Sequence, residues 1–313
     1  MESIKGLGKP TIVKLHNVGI YTLEALAVSG GKELSVLADV DQDRAAELCL
    51  AARKLLDIKI ETADVILEKR NKLVRISTGS KALDDMLGKG IESQAITELV
   101  GEFGSSKTQL CHTLAVIAQQ PPEEGGIGPC SVLYMDTEGT FRPERIQQIA
   151  EGRGLDPEKV LHNIYVAPAY SSDHLALIMN EAFKVVPEKN IKLVVVDSIV
   201  GRFRPEYIGR ESLAERQQKL NRVLNRLLKL TEAYNIAAVA TNQVISQPGV
   251  YYGNPDKPAG GNVLAHIMTY RIWLRKGKAG SRVAKIFDSP YHPETEASFR
   301  ITSKGIEDLQ PEK

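Results

Sequence analysis

Lys107 and Thr108 close the segment Gly101-Glu102-Phe103-Gly104-Ser105-Ser106-Lys107-Thr108, with an apolar run before it and a helical pattern after it. The spacing is that of a phosphate-binding loop: glycine, four residues, then Gly-Lys-Ser/Thr. In such a loop successive backbone N–H groups and a helix N-terminus surround the phosphates. Lys107 would place its ammonium on the β and γ phosphates, and Thr108 would offer its hydroxyl to Mg²⁺. The adjoining Gln109 belongs to the same candidate nucleotide-binding set. One position departs from the pattern, because Ser106 stands where glycine is expected. Its Cβ would lie close to the path of the phosphates, and at positive φ serine costs on the order of 1 kcal/mol. An ordinary Gly-Ser turn at a strand end uses the same residue types. The strand–loop–helix context favours phosphate binding.

Two further strands end in acids. Residues 191–197 are apolar up to Asp197-Ser198, and residues 131–135 run into Asp136-Thr137-Glu138-Gly139. A carboxylate at the carboxyl end of a neighbouring parallel strand lies beside the phosphate loop. Asp197 could there hold a magnesium-bound water. Glu138 could orient or deprotonate an attacking water. A helix N-cap is the alternative for Asp136.

The elements that must position these groups follow from pattern. Short β-rich runs at residues 95–100, 131–135, 163–166, 191–197 and 236–241 alternate with helical stretches near 107–120, 143–152, 173–186 and 213–234. Continuous apolar runs such as Leu193-Val194-Val195-Val196 belong to strands covered on both faces, as in a parallel sheet. Residues 268–275, 282–287 and 297–302 alternate like antiparallel strands, with Gly277-Lys278-Ala279-Gly280 turning between the first two. The predicted core is therefore α/β, a mostly parallel sheet with antiparallel edge hairpins, over residues 73–313. Residues 1–58 look helical, with too few residues for more than a marginal core of their own. In this part Gly6-Leu7-Gly8 is read as a turn between two short helical stretches. Residues 59–72 are charged, carry few large apolar residues, and are read as a linker.

Composition narrows the classes. The 313 residues are 42% hydrophobic and 25% charged, which excludes disordered, collagen-like and disulfide-scaffold chains. No apolar run is long enough to span a membrane, and no signal-peptide core opens the chain. Cys49, Cys111 and Cys130 lack metal-ligand spacing and read as reduced thiols of a cytoplasmic protein. The net charge of +1 means that any polyanion must be met by local charge. Residues 201–229 carry eight basic side chains against three acids, and residues 270–285 carry six against none. Solvated helix and loop faces account for such runs equally well.

Four segments go beyond a phosphate loop: Glu98-Leu99-Val100-Gly101-Glu102-Phe103-Gly104, Tyr134-Met135-Asp136-Thr137-Glu138-Gly139-Thr140-Phe141-Arg142-Pro143-Glu144-Arg145, Leu213-Ala214-Glu215-Arg216-Gln217-Gln218-Lys219-Leu220 and Thr241-Asn242-Gln243-Val244. With Gly260-Gly261-Asn262, Arg275-Lys276-Gly277-Lys278 and Phe287-Asp288-Ser289-Pro290, they resemble the archaeal members of the RecA-like strand-exchange recombinases. The resemblance covers nearly the whole chain and is strongest over residues 75–308.

That resemblance implies a RecA-like P-loop ATPase core behind a small all-helical helix-hairpin-helix DNA-binding domain. It implies a DNA-dependent ATPase that forms filaments on single-stranded DNA, with ATP and Mg²⁺ between neighbouring subunits. Such filaments promote homologous pairing and strand exchange with double-stranded DNA in recombinational repair. Glu138 then matches the catalytic glutamate and Asp197 the Walker B aspartate. Arg142 matches an arginine packing on adenine, and Gln243 a glutamine coupling the γ-phosphate to DNA. His266 and Pro293 match residues that reach ATP from the adjacent subunit, and a monovalent cation is implied near Asp288. The first DNA loop falls on residues 202–210, with Arg202, Arg204, Tyr207 and Arg210. The second falls on residues 244–261, with Val250, Tyr251 and Tyr252. Basic groups along the backbone and bulky side chains between bases suit sequence-tolerant single-strand binding; a small packed loop is the alternative for the two tyrosines.

The resemblance also places an oligomerisation segment at Ile60-Glu61-Thr62-Ala63, where the family has Phe-x-x-Ala. Ile60 in place of phenylalanine would cost roughly 1–3 kcal/mol per interface, so filaments or rings should assemble weakly without DNA. The second helical hairpin departs as well, with Asp39-Val40-Asp41 where glycine is usual. These departures and Ser106 leave an alternative: an ATP-binding recombinase paralogue, with weak or no hydrolysis, that regulates a recombinase. A RecA-fold helicase or signalling ATPase is disfavoured by the N-terminal hairpins and the 202–210 loop.

Overall fold

A computed structural model describes residues 3–4, 7–207, 209, 211–246 and 256–309. The helical N-terminal part comprises α1 (Lys9–Asn17), α2 (Leu23–Ala27), α3 (Gly31–Ala38) and α4 (Gln42–Leu55). Thr22 caps α2 by accepting the Ala25 N–H, and Asp41 caps α4 by accepting those of Asp43 and Arg44. The expected turn at residues 6–8 lies partly outside the described residues. Gly6 lies outside the described residues, and Gly8, at φ −74°, begins α1. The connection between α1 and α2 instead uses Gly19 at φ +81°. A left-handed residue commonly ends a helix, and Gly19, just past α1, has that place. In the second turn Asp39 itself takes φ +48°, and Lys14 donates to its carbonyl (2.6 Å) and its carboxylate (2.9 Å). The turn thus forms without glycine.

The small helical part does not rely on its own core. Leu15, Ile20, Leu26, Leu34 and Leu48 join one apolar cluster with Met179, Phe183, Leu220, Val223 and Leu227 of the larger part. Arg226 donates to the Val18 carbonyl (3.1 Å) and lies over the Phe183 ring (4.5 Å). Lys229 pairs with Glu33, and Lys219 with Asp173 and Glu215. Three of the eight basic side chains of residues 201–229 are thereby engaged inside the chain. Residues 59–72 hold a helix, α5 (Ala63–Asn71), which buries none of its side chains. Arg70 ties it to Glu92 (2.8 Å), while Ile60 is 101% exposed.

The remaining elements are β1 (Arg75–Ile76), α6 (Lys81–Met86), β2 (Ile91–Glu92), β3 (Ala95–Val100), α7 (Lys107–Ile117), β4 (Ser131–Asp136), α8 (Pro143–Gly152), α9 (Pro157–His162), β5 (Ile164–Pro168), α10 (Ser172–Glu188), β6 (Ile191–Asp197), α11 (Phe203–Glu206), α12 (Leu213–Tyr234), β7 (Ala237–Asn242), β8 (Val244–Ser246), β9 (Asp256–Pro258), α13 (Gly261–Ile267), β10 (Tyr270–Lys276), β11 (Arg282–Asp288), β12 (Glu296–Thr302) and β13 (Gly305–Asp308). The main sheet runs β13-β12-β11-β10-β3-β7-β6-β4-β5. From β10 to β5 every pairing is parallel, and from β10 to β13 every pairing is antiparallel. The expected mostly parallel sheet with antiparallel edge hairpins is what forms. Residues 268–275 are a partial correction. Their alternation suggested an antiparallel strand, but β10 is the seam, parallel to β3 (Ile272 beside Leu99) and antiparallel to β11. Alternation reports which faces are covered, not strand direction.

Apolar clusters cover both sheet faces, so β3, β4 and β7 are buried along their whole length. The register sets Asp136 beside Asp197 and Val100 beside Asn242. The carboxyl ends of β3, β7, β6 and β4 therefore open on one shared crevice. Among the described residues no helix is long and apolar enough to cross a membrane. Cys49, Cys111 and Cys130 are free and buried.

Candidate nucleotide site and adjoining loops

The loop after β3 lines a cleft of about 590 Å³ together with Glu138, Thr140, Arg142, Asp197, Gln243, Val244, Arg282 and Ile301. Its backbone leaves little choice of residue. A Cβ on Gly101 would collide with the Leu274 carbonyl, and Gly104 has φ +75°. Ser106 takes φ +88° and is 8% exposed. The strain foreseen for a serine at the glycine position is therefore present. The hydroxyl accepts a hydrogen bond from Arg282 Nε (2.8 Å). Gly101, Glu102, Phe103, Gly104, Ser106, Lys107, Thr108 and Gln109 all border the cleft, Phe103 with 99% of its surface exposed. Ser105 does not. Its side chain is buried against Gly101, and its N–H closes the turn on the Glu102 carbonyl (3.2 Å).

Lys107 folds over the loop and donates to the carbonyls of Gly101 (2.7 Å) and Glu102 (2.9 Å). Burial lowers its pKa, only partly offset by Asp197 and Glu138. An ammonium held by neutral carbonyls in a desolvated pocket is a strong site for an anion. Thr108 donates to Asp197 Oδ2 (2.9 Å), which Tyr134 also reaches (2.8 Å), while Thr241 donates to Oδ1 (2.5 Å). Asp197 is 2% exposed, so these hydroxyls are what keep a buried carboxylate solvated. Thr108 and Asp197 thus bring two hard oxygen donors together at the foot of the cleft. Among the described residues no group of three or more His, Cys, Asp or Glu side chains is placed to hold a metal ion. A donor pair of this kind fits Mg²⁺ that draws its other ligands from phosphates and water.

Asp136 is neither a ligand nor a helix cap. It accepts the N–H groups of Glu138 (3.1 Å), Gly139 (2.8 Å), Thr140 (3.2 Å) and Phe141 (3.0 Å), shaping the loop that presents Glu138. Glu138 Oε1 accepts from Ser198 Oγ (2.7 Å) and from Gln243 Nε2 (2.7 Å). Gln243 Oε1 in turn accepts from Arg204 Nη1 (2.8 Å). A continuous hydrogen-bond chain therefore joins the cleft carboxylate to the first basic loop. Glu138 Oε2 accepts from no described group.

Arg142 borders the cleft and donates to the carbonyls of Gly139 (2.9 Å) and Phe141 (2.8 Å). His266, Pro293 and Asp288 do not border it; all three are exposed. Asp288 lies 3.8 Å from Arg271, so a cation there would compete with a guanidinium. Arg202 donates to the Ala169 carbonyl (3.0 Å), and Tyr207 packs under Lys219 (5.3 Å). Arg210, Val250, Tyr251 and Tyr252 lie outside the described residues. The strands flanking residues 247–255 pair as a stem, Val244 opposite Pro258. Asn242 braces that stem by donating to the Ala259 carbonyl (2.7 Å) and to buried Glu98 (2.7 Å), which Arg271 also reaches (2.6 Å). Sequence reasoning missed Arg282, Ser198, Thr241 and Tyr134. The only signal for Arg282 was its place in the acid-free run of residues 270–285.

His112, one turn into α7, packs against Tyr134 (5.7 Å) and Phe141 (5.5 Å) with neither ring nitrogen hydrogen bonded. Burial pulls its pKa from 6.5 down to about 4. Between those values the unfolded chain holds the proton and the folded chain does not, so stability rises with pH. The contribution is fully present above pH 6.5 and is lost as pH falls through about 4, by about 3 kcal/mol. His112→Leu should remove this part of the acid sensitivity. Urea unfolding at about pH 7 and about pH 4.5 checks it, and an equal pH slope in both proteins would contradict it.

Comparison with known proteins gives three findings. A family profile described as Rad51 matches residues 69–309. A profile described as a SAM-like helix-hairpin-helix tandem matches residues 1–54. The chain is 47% identical over 316 residues to the DNA repair and recombination protein RadA of Cenarchaeum symbiosum (strain A), covering 99% of this chain and 79% of that protein.

Proposed function

We propose that this chain, which belongs to the Rad51 family, is a DNA recombinase whose ATPase is switched by single-stranded DNA. The observation that carries the proposal is the chain of hydrogen bonds Arg204–Gln243–Glu138. A basic loop residue is two bonds from the carboxylate best placed to act on water.

The phosphates of ATP would lie over the loop N–H groups with Lys107 on the β and γ oxygens, and Arg142 at the base. Thr108 and Asp197 would hold Mg²⁺, which when bound neutralises charge on the phosphate oxygens. Glu138, with Oε2 unengaged, orients an attacking water and accepts its proton. Ser198 holds the other oxygen and so fixes the carboxylate plane. A DNA phosphate at Arg204 competes with Gln243 for the guanidinium. Gln243 is then free to turn, and Glu138 is left with Ser198 alone on its Oε1 and more of the carboxylate open to water. His266 and Pro293, away from this cleft, suit a neighbouring subunit's nucleotide. Arg202, Tyr207, Arg210, Val250, Tyr251 and Tyr252 would complete the single-strand surface, and the helical hairpins would meet duplex DNA.

Self-association has a matching pair of features. Ile60 is fully exposed, and β5 is an edge strand beside an apolar groove of about 360 Å³ lined by Tyr165, Val166, Ala167, Leu177 and Ile178. Ile60 and Ala63 of one copy docking on that edge in another would build the filament or ring.

Arg204→Ala tests the coupling. Stimulation of phosphate release by single-stranded DNA should fall at least about tenfold, with Mg-ATP affinity unchanged within about twofold. Full stimulation in the variant would overturn it. The strained backbone of Ser106 (φ +88°) favours a second reading, a regulatory paralogue that binds ATP with little hydrolysis. Mg-ATP binding with no stimulated release in the unmodified protein would select that reading.

A further inference from the structure

The phosphate-loop pattern accounts for Lys107 and Thr108, and the strand ends account for Asp197 and Glu138. Arg282 is unaccounted for. It is the first residue of β11, 176 positions from Ser106, and it borders the same cleft. Its guanidinium is held at three points. Nε donates to Ser106 Oγ (2.8 Å), and Nη1 donates to the carbonyls of Gly280 (2.9 Å) and Ser281 (2.8 Å). Nη2 donates to no described group.

We propose that Arg282 is a nucleotide-contacting cation, and that Ser106 is the positioning residue that aims it. The inference rests on the nucleotide-binding reading of the cleft. A glycine at position 106 would relieve the left-handed backbone but leave Nε without its acceptor on the loop. The serine hydroxyl instead couples the phosphate loop to β11, so the guanidinium is pre-oriented before any ligand arrives. The charge inventory supports the assignment. Glu102, Glu138 and Asp197 border the cleft with Lys107 and Arg142. Without Arg282 the carboxylates would outnumber the cations around a polyanionic ligand. With Nε and Nη1 engaged, Arg282 has Nη2 to give a phosphate or ribose oxygen of a nucleoside di- or triphosphate.

The competing explanation is that Arg282 only pins the turn at residues 277–281. Calorimetry with Mg-ATP and with Mg-ADP separates the two, using the unmodified chain, Arg282→Gln, Ser106→Ala and the double variant. Arg282→Gln should raise Kd about tenfold for both nucleotides, and Ser106→Ala about threefold. In the Arg282→Gln background Ser106→Ala should change nothing further, because the serine acts through the arginine. Arg282→Gln binding both nucleotides as the unmodified chain does would overturn the role of Arg282. An equal effect of Ser106→Ala in both backgrounds would overturn the positioning role. If Arg282→Gln lowers the melting temperature, Arg282→Lys, which keeps the charge but lacks the Nε donor, replaces it in the same cycle. Failure of the unmodified chain to bind either nucleotide would instead remove the reading of the cleft on which the inference rests.

Discussion

Glu138→Gln should lower DNA-stimulated phosphate release by at least about 100-fold and leave Mg-ATP affinity within about twofold. The carboxylate borders the cleft, has one oxygen fixed by Ser198 and Gln243, and has the other unengaged. Glutamine keeps the shape and can still be held by Ser198, but it cannot take a proton at neutral pH. The loss therefore belongs to the chemical step and not to binding. Because the variant still holds ATP, its DNA-bound filaments should persist longer than those of the unmodified chain. Phosphate release and nucleotide calorimetry on the same preparation check both halves. A variant that releases phosphate at the unmodified rate would move the base elsewhere in the cleft.

The second large effect is expected from Lys107→Ala. Mg-ATP affinity should fall at least about 100-fold, equivalent to about 3 kcal/mol, and DNA-stimulated release should be lost with it. Lys107 is partly desolvated and rests on two carbonyls, so its ammonium is poorly compensated until an anion arrives. The same fact gives a control. Removing a cation that burial disfavours should not lower the melting temperature, whereas disruption of the loop would. A stable variant that binds Mg-ATP normally would contradict the assignment of the phosphate site.

The chemistry of the cleft was legible because it is written in local spacing. Gly101, Gly104, Lys107 and Thr108 lie within one short loop and the helix start after it, Asp197 ends a mainly apolar strand, and Glu138 closely follows another. Parallel pairing then brings the strand ends together whatever the intervening chain does. The runs at Leu193 to Val196 are buried on both faces as their composition requires. What was not legible depends on contacts remote in sequence. Arg226, Lys229 and Lys219 read as a basic face, yet Val18 with Phe183, Glu33 and Asp173, all remote in sequence, engage them in turn. Gly8 and Gly19 are alike as residues; only the position of a helix end gives one of them the left-handed turn. Asp39 replaces glycine because Lys14 holds both its carbonyl and its carboxylate. Arg282 was invisible for the same reason, since its partner Ser106 lies on another strand's loop. The linker concealed α5 because a helix that buries nothing carries no apolar stripe.

In the proposed coupling, DNA on the basic loop reaches Glu138 through Gln243. This coupling is tested most directly by titrating the unmodified protein with single-stranded DNA at saturating Mg-ATP while following phosphate release. Phosphate release should rise at least several-fold, saturate with DNA and weaken with salt as phosphate contacts do. A flat response from a protein that calorimetry shows to be loaded with nucleotide would contradict it.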